Sequence, residues 1–376
     1  MAYVVPNRRD RPRGGRGGGG GVYGGGRGGG GGGRAQEEGL AGSMRPSSSP
    51  AAPTLANVKS LSGHKKKVSS VGWNGDGRRL ASCGPDATVR VWHWGTHSQG
   101  DCEREFGGHT GAAEQLCWDP TSVQMLASAS ADKTVRLWDA RASAGAATIA
   151  TPGENIYVEW SPDGSTLAVV NRNDQLSFID ARTNEVRCSV QFKSEVNEIC
   201  WNNAMSLFFI AGADGNVDVY EFPGADASCA NWGSSTGRAL RLHAFEQNVV
   251  CMSCDRRDDK HFAVAGADAI VSLWDVSEMV CVRTFDRMEW PVRSLSFSHD
   301  SSMLAIGSED EFVEVADTAS GEPVKKLEIG GACESLEWHP TQNLLAFACD
   351  GGKAGLAKES VHVWSKPAES AMAIDE

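Results

Sequence analysis

A chain of 376 residues that is 40% hydrophobic and 22% charged can bury a sizeable core, and its formal net charge of −12 argues against a general phosphate-binding surface, which needs an excess of Lys and Arg. No apolar run approaches the roughly 18 residues of a membrane-spanning helix. The first residues form no hydrophobic targeting segment, so an intracellular protein without membrane contact is expected.

The charge is unevenly spread. A Gly-Arg tract runs from Arg13 to Arg34, with Val22 and Tyr23 as its large interruptions, and a Ser/Pro linker follows from Arg45 to Pro53. Residues 1–54 cannot bury enough apolar surface to fold and are expected to form a disordered Gly/Arg-rich tail. With 8 basic and 3 acidic residues the tail is basic, which leaves roughly −17 for the remainder. Any nucleic-acid contact would fall to the tail, where Arg13, Arg16, Arg27 and Arg34 could stack on bases and bridge phosphates weakly. The plainer reading is a flexible, solubilising extension.

From residue 55 to 366 the sequence cycles. TVRVWHW from Thr88, TVRLWDA from Thr134 and IVSLWDV from Ile270 are each preceded by an Asp two residues upstream. A period of about 40–45 residues with a Trp-Asp dipeptide closing an alternating strand marks a β-propeller of four-stranded blades. Strand ends at Trp92, Trp138, Ile179, Tyr220, Trp274, Ala316 and Trp364 count seven blades. The residues closing the innermost strands, Trp73, Trp118, Trp160, Trp201, Cys254, Phe297 and Trp338, count seven again. The expected fold is all-β, a seven-bladed WD-repeat propeller over 55–366 with a flexible C-terminus over 367–376.

Taken in order, the segment from about Ala56 to Leu61 is expected to be the outer strand of the last blade, joining the chain's two ends so that no edge stays open. Blades one and two carry His64, Ser82, Asp86 and Trp92, then His109, Ser128, Asp132 and Trp138, at the spacing of the WD-repeat hydrogen-bonded tetrad. Buried polar groups must pair with one another, and the likeness to a Ser-His-Asp triad is compositional only.

The weaker blades keep the frame. In blade three NDQLSFIDAR from Asn173 overlays DKTVRLWDAR from Asp132, with Ile179 at the Trp position. Blade four has Asp214 and Tyr220, followed by a long insert near 224–238. Blade five contains Cys251-x-x-Cys254, but zinc would need a second such pair, so alternating strand positions explain both. Eleven cysteines without framework spacing are expected to stay reduced. In blade six Trp290 and Pro291 precede Val292 and Arg293, and a loop Trp beside an Arg has the make-up of an interface hot spot. The alternative is that Trp290 packs down onto its blade.

No phosphate-binding Gly-Lys-Ser/Thr loop, His-Glu-x-x-His or nucleophile elbow occurs, so neither a catalytic residue nor a cofactor is expected and a binding platform is. The position four before each inner-strand end lies at the channel mouth: Ser69, Glu114, Ile156, Asn197, Val250, Arg293 and Glu334. Of these Glu114, Asn197, Arg293 and Glu334, with Trp290, are the candidate partner-binding residues; the mixture suits protein recognition.

The run DAIVSLWDVSEMVCVRTFDRMEWPVRSLSFSHD from Asp268, FIDARTNEVRCSVQFKSEVNEICWNN from Phe178, GENI at Gly153 and EWHPTQNLLAFACD from Glu337 closely resemble the WD-repeat subunit family of the THO complex. The resemblance spans all seven blades, roughly Val58 to Trp364, and WPVRSLSFSHD is its most specific part. It implies a nuclear, non-enzymatic scaffold that docks on large helical THO subunits. Through them it would meet a DEAD-box RNA helicase and an mRNA-export adaptor in co-transcriptional mRNA processing, packaging and export. A competing reading is a substrate receptor of a cullin-RING ubiquitin ligase, whose Trp-Asp-x-Arg motif is matched by Trp138, Asp139, Ala140 and Arg141.

Overall fold

Each cycle of the sequence folds as four antiparallel strands, because its apolar residues alternate and its turns fall between them. The computed structural model describes residues 57–95, 99–143, 145–222, 240–351 and 354–366. The tail with Arg13, Arg16, Arg27 and Arg34, the insert at 224–238 and the C-terminal residues 367–376 lie outside the described residues. The chain divides into two units, Met1–Ala51 and Ala52–Glu376, and every described residue belongs to the second.

Among the described residues all 28 elements are strands, grouped in seven four-stranded sheets, which makes the seven-bladed propeller. The innermost strands end at Trp73, Trp118, Trp160, Trp201, Cys254, Phe297 and Trp338. Trp92, Trp138, Ile179, Tyr220, Trp274, Ala316 and Trp364 all lie in the third strands. Exposure grows outward: the inner strand Asn155–Trp160 is buried throughout, whereas the outer strand Pro323–Glu328 is exposed but for Leu327. The core sits between blades, as where Ala81, Val91 and Phe106 of blade one meet Leu116, Trp118 and Trp138 of blade two.

The turn between second and third strands shows why an Asp recurs there. One residue takes a left-handed conformation, with φ of 63° at Ala87, 67° at Lys133, 82° at Gly215 and 66° at Ala269. The preceding Asp carboxylate accepts the N–H that follows: Thr88 to Asp86 at 3.2 Å, Thr134 to Asp132 at 3.0 Å, Asn216 to Asp214 at 3.3 Å and Ile270 to Asp268 at 3.3 Å. That side-chain turn holds the strained residue with or without the rest of a tetrad.

The ring closes through Val58–Ser62, which pairs antiparallel with Ser360–Ser365 in the register Val58↔Trp364 to Ser62↔Ser360. Leu61 is buried, Ser60 Oγ lies 2.9 Å from His362 Nδ1, and the hydroxyls of Ser62 and Ser360 are 2.9 Å apart. The last blade therefore contains both ends of the ring.

Inner strands have an unpaired edge, and side chains of the preceding blade satisfy part of it. Gln115 Oε1 accepts the Val158 N–H at 3.0 Å and Glu198 Oε2 the Met252 N–H at 2.9 Å. Ser294 and Ser296 accept from Leu336 and Trp338 at 3.1 and 3.0 Å. Ser335 and Glu337 accept from Val71 and Trp73 at 3.2 and 2.6 Å. Each of these bonds crosses a seam between blades.

Candidate functional site

In blade one His64 joins Asp86 Oδ2 through Nδ1 at 2.9 Å and Ser82 Oγ through Nε2 at 2.8 Å, while Trp92 Nε1–H donates to the same hydroxyl at 2.8 Å. Blade two repeats this with His109, Asp132, Ser128 and Trp138 at 2.9, 2.7 and 2.8 Å. Ser82 and Ser128 are buried and already accept an indole N–H, so neither hydroxyl faces a space where a substrate could sit. Burial alone would raise the Asp132 carboxyl, but bonds from Thr134, His109 and the Thr110 N–H outweigh it and hold the group at about 2. Burial pushes His109 below its ordinary value although Asp132 pulls the other way. These groups form a structural network.

In blade six the equivalent positions hold Met288, Ile306 and Ala316, all buried, and only Asp310 remains. Its Oδ2 accepts instead from Ser308 Oγ at 2.8 Å and from the N–H groups of Glu289 and Trp290 at 3.2 Å each. Asp310 thus pins the loop that carries Trp290, as Asp86 and Asp132 hold the N–H groups of Lys65 and Thr110 in the blades with a full tetrad.

Glu114, Asn197, Arg293 and Glu334 are each engaged with other residues. Glu114 accepts from Arg172 at 3.0 Å, Glu334 from Lys67 at 2.7 Å, and Arg293 donates to Glu309. Asn197 donates to Asn248 Oδ1 at 2.5 Å and to the Val249 carbonyl at 2.6 Å. Trp290 stands 48% exposed. Arg172, Lys67 and Glu309 were not singled out from sequence, because separate turns of the chain bring them to Glu114, Glu334 and Arg293.

Arg256 is another contributor that spacing did not reveal. It sits in the turn after the inner strand of blade five, and its guanidinium lies 3.5 Å from Glu159 of blade three. Its charge also acts on Glu337 of blade seven, while 72% of its side chain stays accessible to solvent. The only signal in the sequence is a pair of arginines in an otherwise acidic turn, Asp255 to Asp259. Burial pushes the Glu159 carboxyl up to about 8 and the Glu337 carboxyl up to about 7, Arg256 opposing in both cases.

Those raised values carry a sign. A carboxyl whose folded value lies above its unfolded one, about 4.3, contributes stability in full below that value and loses it as pH rises toward 7–8. Glu159→Gln should therefore leave urea stability at pH 5 nearly unchanged and raise it by about 1–2 kcal/mol at pH 9. Equal effects at both pH values would refute this account.

The expectation of uniformly reduced cysteines is not met. Cys254 is bonded to Cys200 of the neighbouring blade, with Cα atoms 6.6 Å apart, while Cys251 is a buried thiol. Cys254 occupies the place where other inner strands end in an aromatic ring, and the smaller side chain brings it to Cys200 at the seam. Trp138 and Asp139 close the third strand of blade two, and Arg141 in the turn that follows donates to both Asp139 oxygens at 3.0 and 2.7 Å.

Among known proteins, the family described as the THOC3 beta-propeller domain matches residues 64–348. THO complex subunit 3 of Arabidopsis thaliana is 40% identical over 289 residues, covering 77% of this chain and 88% of the relative. WD repeat-containing protein AAC3 of Dictyostelium discoideum is 34% identical over 311 residues, 78% of this chain and 63% of the relative. Eukaryotic translation initiation factor 3 subunit I of Aspergillus terreus is more distant, 26% identical over 333 residues, 82% of this chain and 94% of the relative.

Proposed function

The chain belongs to the THOC3 beta-propeller family, and from that membership we propose that it is a non-enzymatic subunit of the THO complex. It docks on the large helical subunits, and through them works beside a DEAD-box RNA helicase and an mRNA-export adaptor in the nucleus. Its task there is to hold partners in position during co-transcriptional mRNA processing, packaging and export. The match over residues 64–348 carries this reading. Two features of the ring support it: the His-bearing networks are closed on themselves, and Trp290 stands exposed on a loop of the channel-mouth face. RNA contact is assigned to Arg13, Arg16, Arg27 and Arg34 of the tail, as a weak addition.

Affinity purification of the tagged full-length chain from nuclear extract, with RNase treatment and mass spectrometry, tests the reading. Large helical THO subunits should be recovered whether or not RNA is present. Recovery of a cullin adaptor instead, or of nothing once RNA is digested, would overturn it.

A further inference from the structure

We infer that Glu159 is a two-position switch: ionised, it reaches past blade four to Arg256, and protonated, it returns to its own seam, accepts the Trp201 N–H and releases the guanidinium.

The other seams show where this side chain belongs. The last residue but one of an inner strand serves the N–H at the end of the next inner strand: Ser296 Oγ accepts from Trp338 at 3.0 Å, Glu337 Oε2 from Trp73 at 2.6 Å, and the Cys117 sulfur from Trp160. Glu159 holds that place in Asn155–Trp160, and the next inner strand, Val196–Trp201, ends at Trp201. Trp201 pairs with Phe208 as Trp73 pairs with Leu80 and Trp338 with Leu345, so its N–H leaves the sheet toward blade three in the same way. Glu159 is turned elsewhere. One of its oxygens, Oε1, lies 3.5 Å from Arg256, and the other, although buried, has no hydrogen-bond partner among the described residues. A buried oxygen left unpaired beside a seam that offers a donor marks a side chain drawn away from a second resting place.

Charge decides between the two places. The charged and titratable groups facing Glu159 are Arg256, Glu198 of blade four, Tyr157 of its own strand and Cys117 of blade two. An ionised carboxylate is attracted by the guanidinium alone, whereas a neutral acid is drawn little by a cation and can give its carbonyl oxygen to an N–H without burying charge. Burial pushes Glu159 up to about 8, with Arg256 opposing and Glu198 adding, so the group is neutral below that value and ionised above it. Glu337 already shows the seam arrangement, as a carboxyl that burial pushes up to about 7 and that accepts an N–H. Below the switch, Arg256 keeps only Glu337 as a facing carboxyl, and its largely accessible side chain turns its charge outward.

The test labels the full-length chain, Glu159→Gln and Arg256→Gln with 15N-tryptophan and follows the Trp201 backbone amide, identified by its loss in Trp201→Phe, between about pH 6 and 9.5. In the parent the amide proton should move downfield into a hydrogen-bonded position as pH falls, with a midpoint near 8. In Glu159→Gln it should hold that position throughout, because the amide oxygen serves the seam at every pH. In Arg256→Gln the opposing cation is gone, and the midpoint should rise by about half a unit or more. A Trp201 signal that stays in place in the parent, an equal pH-dependent change in Glu159→Gln, or an unmoved midpoint in Arg256→Gln would each overturn the inference.

Discussion

Removing residues through Ser62 should lower the melting temperature by about 10 °C relative to a chain beginning at Asn57, and should turn reversible unfolding into aggregation. The lost strand is only Val58–Ser62, but it supplies the buried Leu61, a five-residue ladder to Ser360–Ser365 and the hydroxyl contacts to His362 and Ser360. Burial of one leucine contributes about 2–3 kcal/mol, and the partly buried Val58 with the ladder brings the total to about 5. The damage is not confined to one blade. Without its outer strand, Ser360–Ser365 becomes an open edge carrying Val361, Val363 and Trp364, all buried in the intact ring. Calorimetry of the two truncations decides the matter, and superimposable transitions would show that closure contributes nothing.

Trp138→Ala should cost about 4 kcal/mol in urea unfolding, near the upper end for a core aromatic. The ring is 1% exposed, stacks on Phe106 of blade one with centroids 5.1 Å apart, and meets His109 edge-on at 5.8 Å. Its loss therefore opens a cavity at a seam and removes the donor to Ser128. Trp274 provides the comparison: it is only partly buried, and its indole N–H goes to Ser272 at 2.7 Å instead of into a network with His and Asp. Trp274→Ala should cost about half as much. Equal costs would mean that the network adds nothing to packing.

The architecture was legible because three signals repeat on different rules. Strand alternation and the inner-strand end recur in every blade and the Asp of the turn in five of the seven, so a blade that loses one signal keeps others. Blade six lost Trp to Ala316 and His to Met288, yet Asp310 and Phe297 still mark it. The closing strand was legible as well, from its place before the first Gly-His, and its described part runs Val58–Ser62.

What the surfaces present was legible only in part, for a physical reason. Position along a strand tells which face of its own sheet a residue lies on, but not what the next blade or the far side of the ring places against it. Arg256 reads as an ordinary turn residue, and its approach to Glu159, 97 residues earlier, depends on the closed circle. Glu337 reads as a solvated strand charge, and the Trp73 N–H that it accepts comes from the first blade. Cys200 and Cys254, 54 residues apart, meet for the same reason.

The bond between Ser60 and His362 spans 302 residues of sequence. A ribosome adding about 5–20 residues per second needs roughly 15–60 s to travel that distance. Throughout this interval the strand that will finish the seventh blade has already been made and has no partner. The last joint of the ring therefore forms only after the strand Ser360–Ser365 has been made, and the nascent protein must be shielded from aggregation until then.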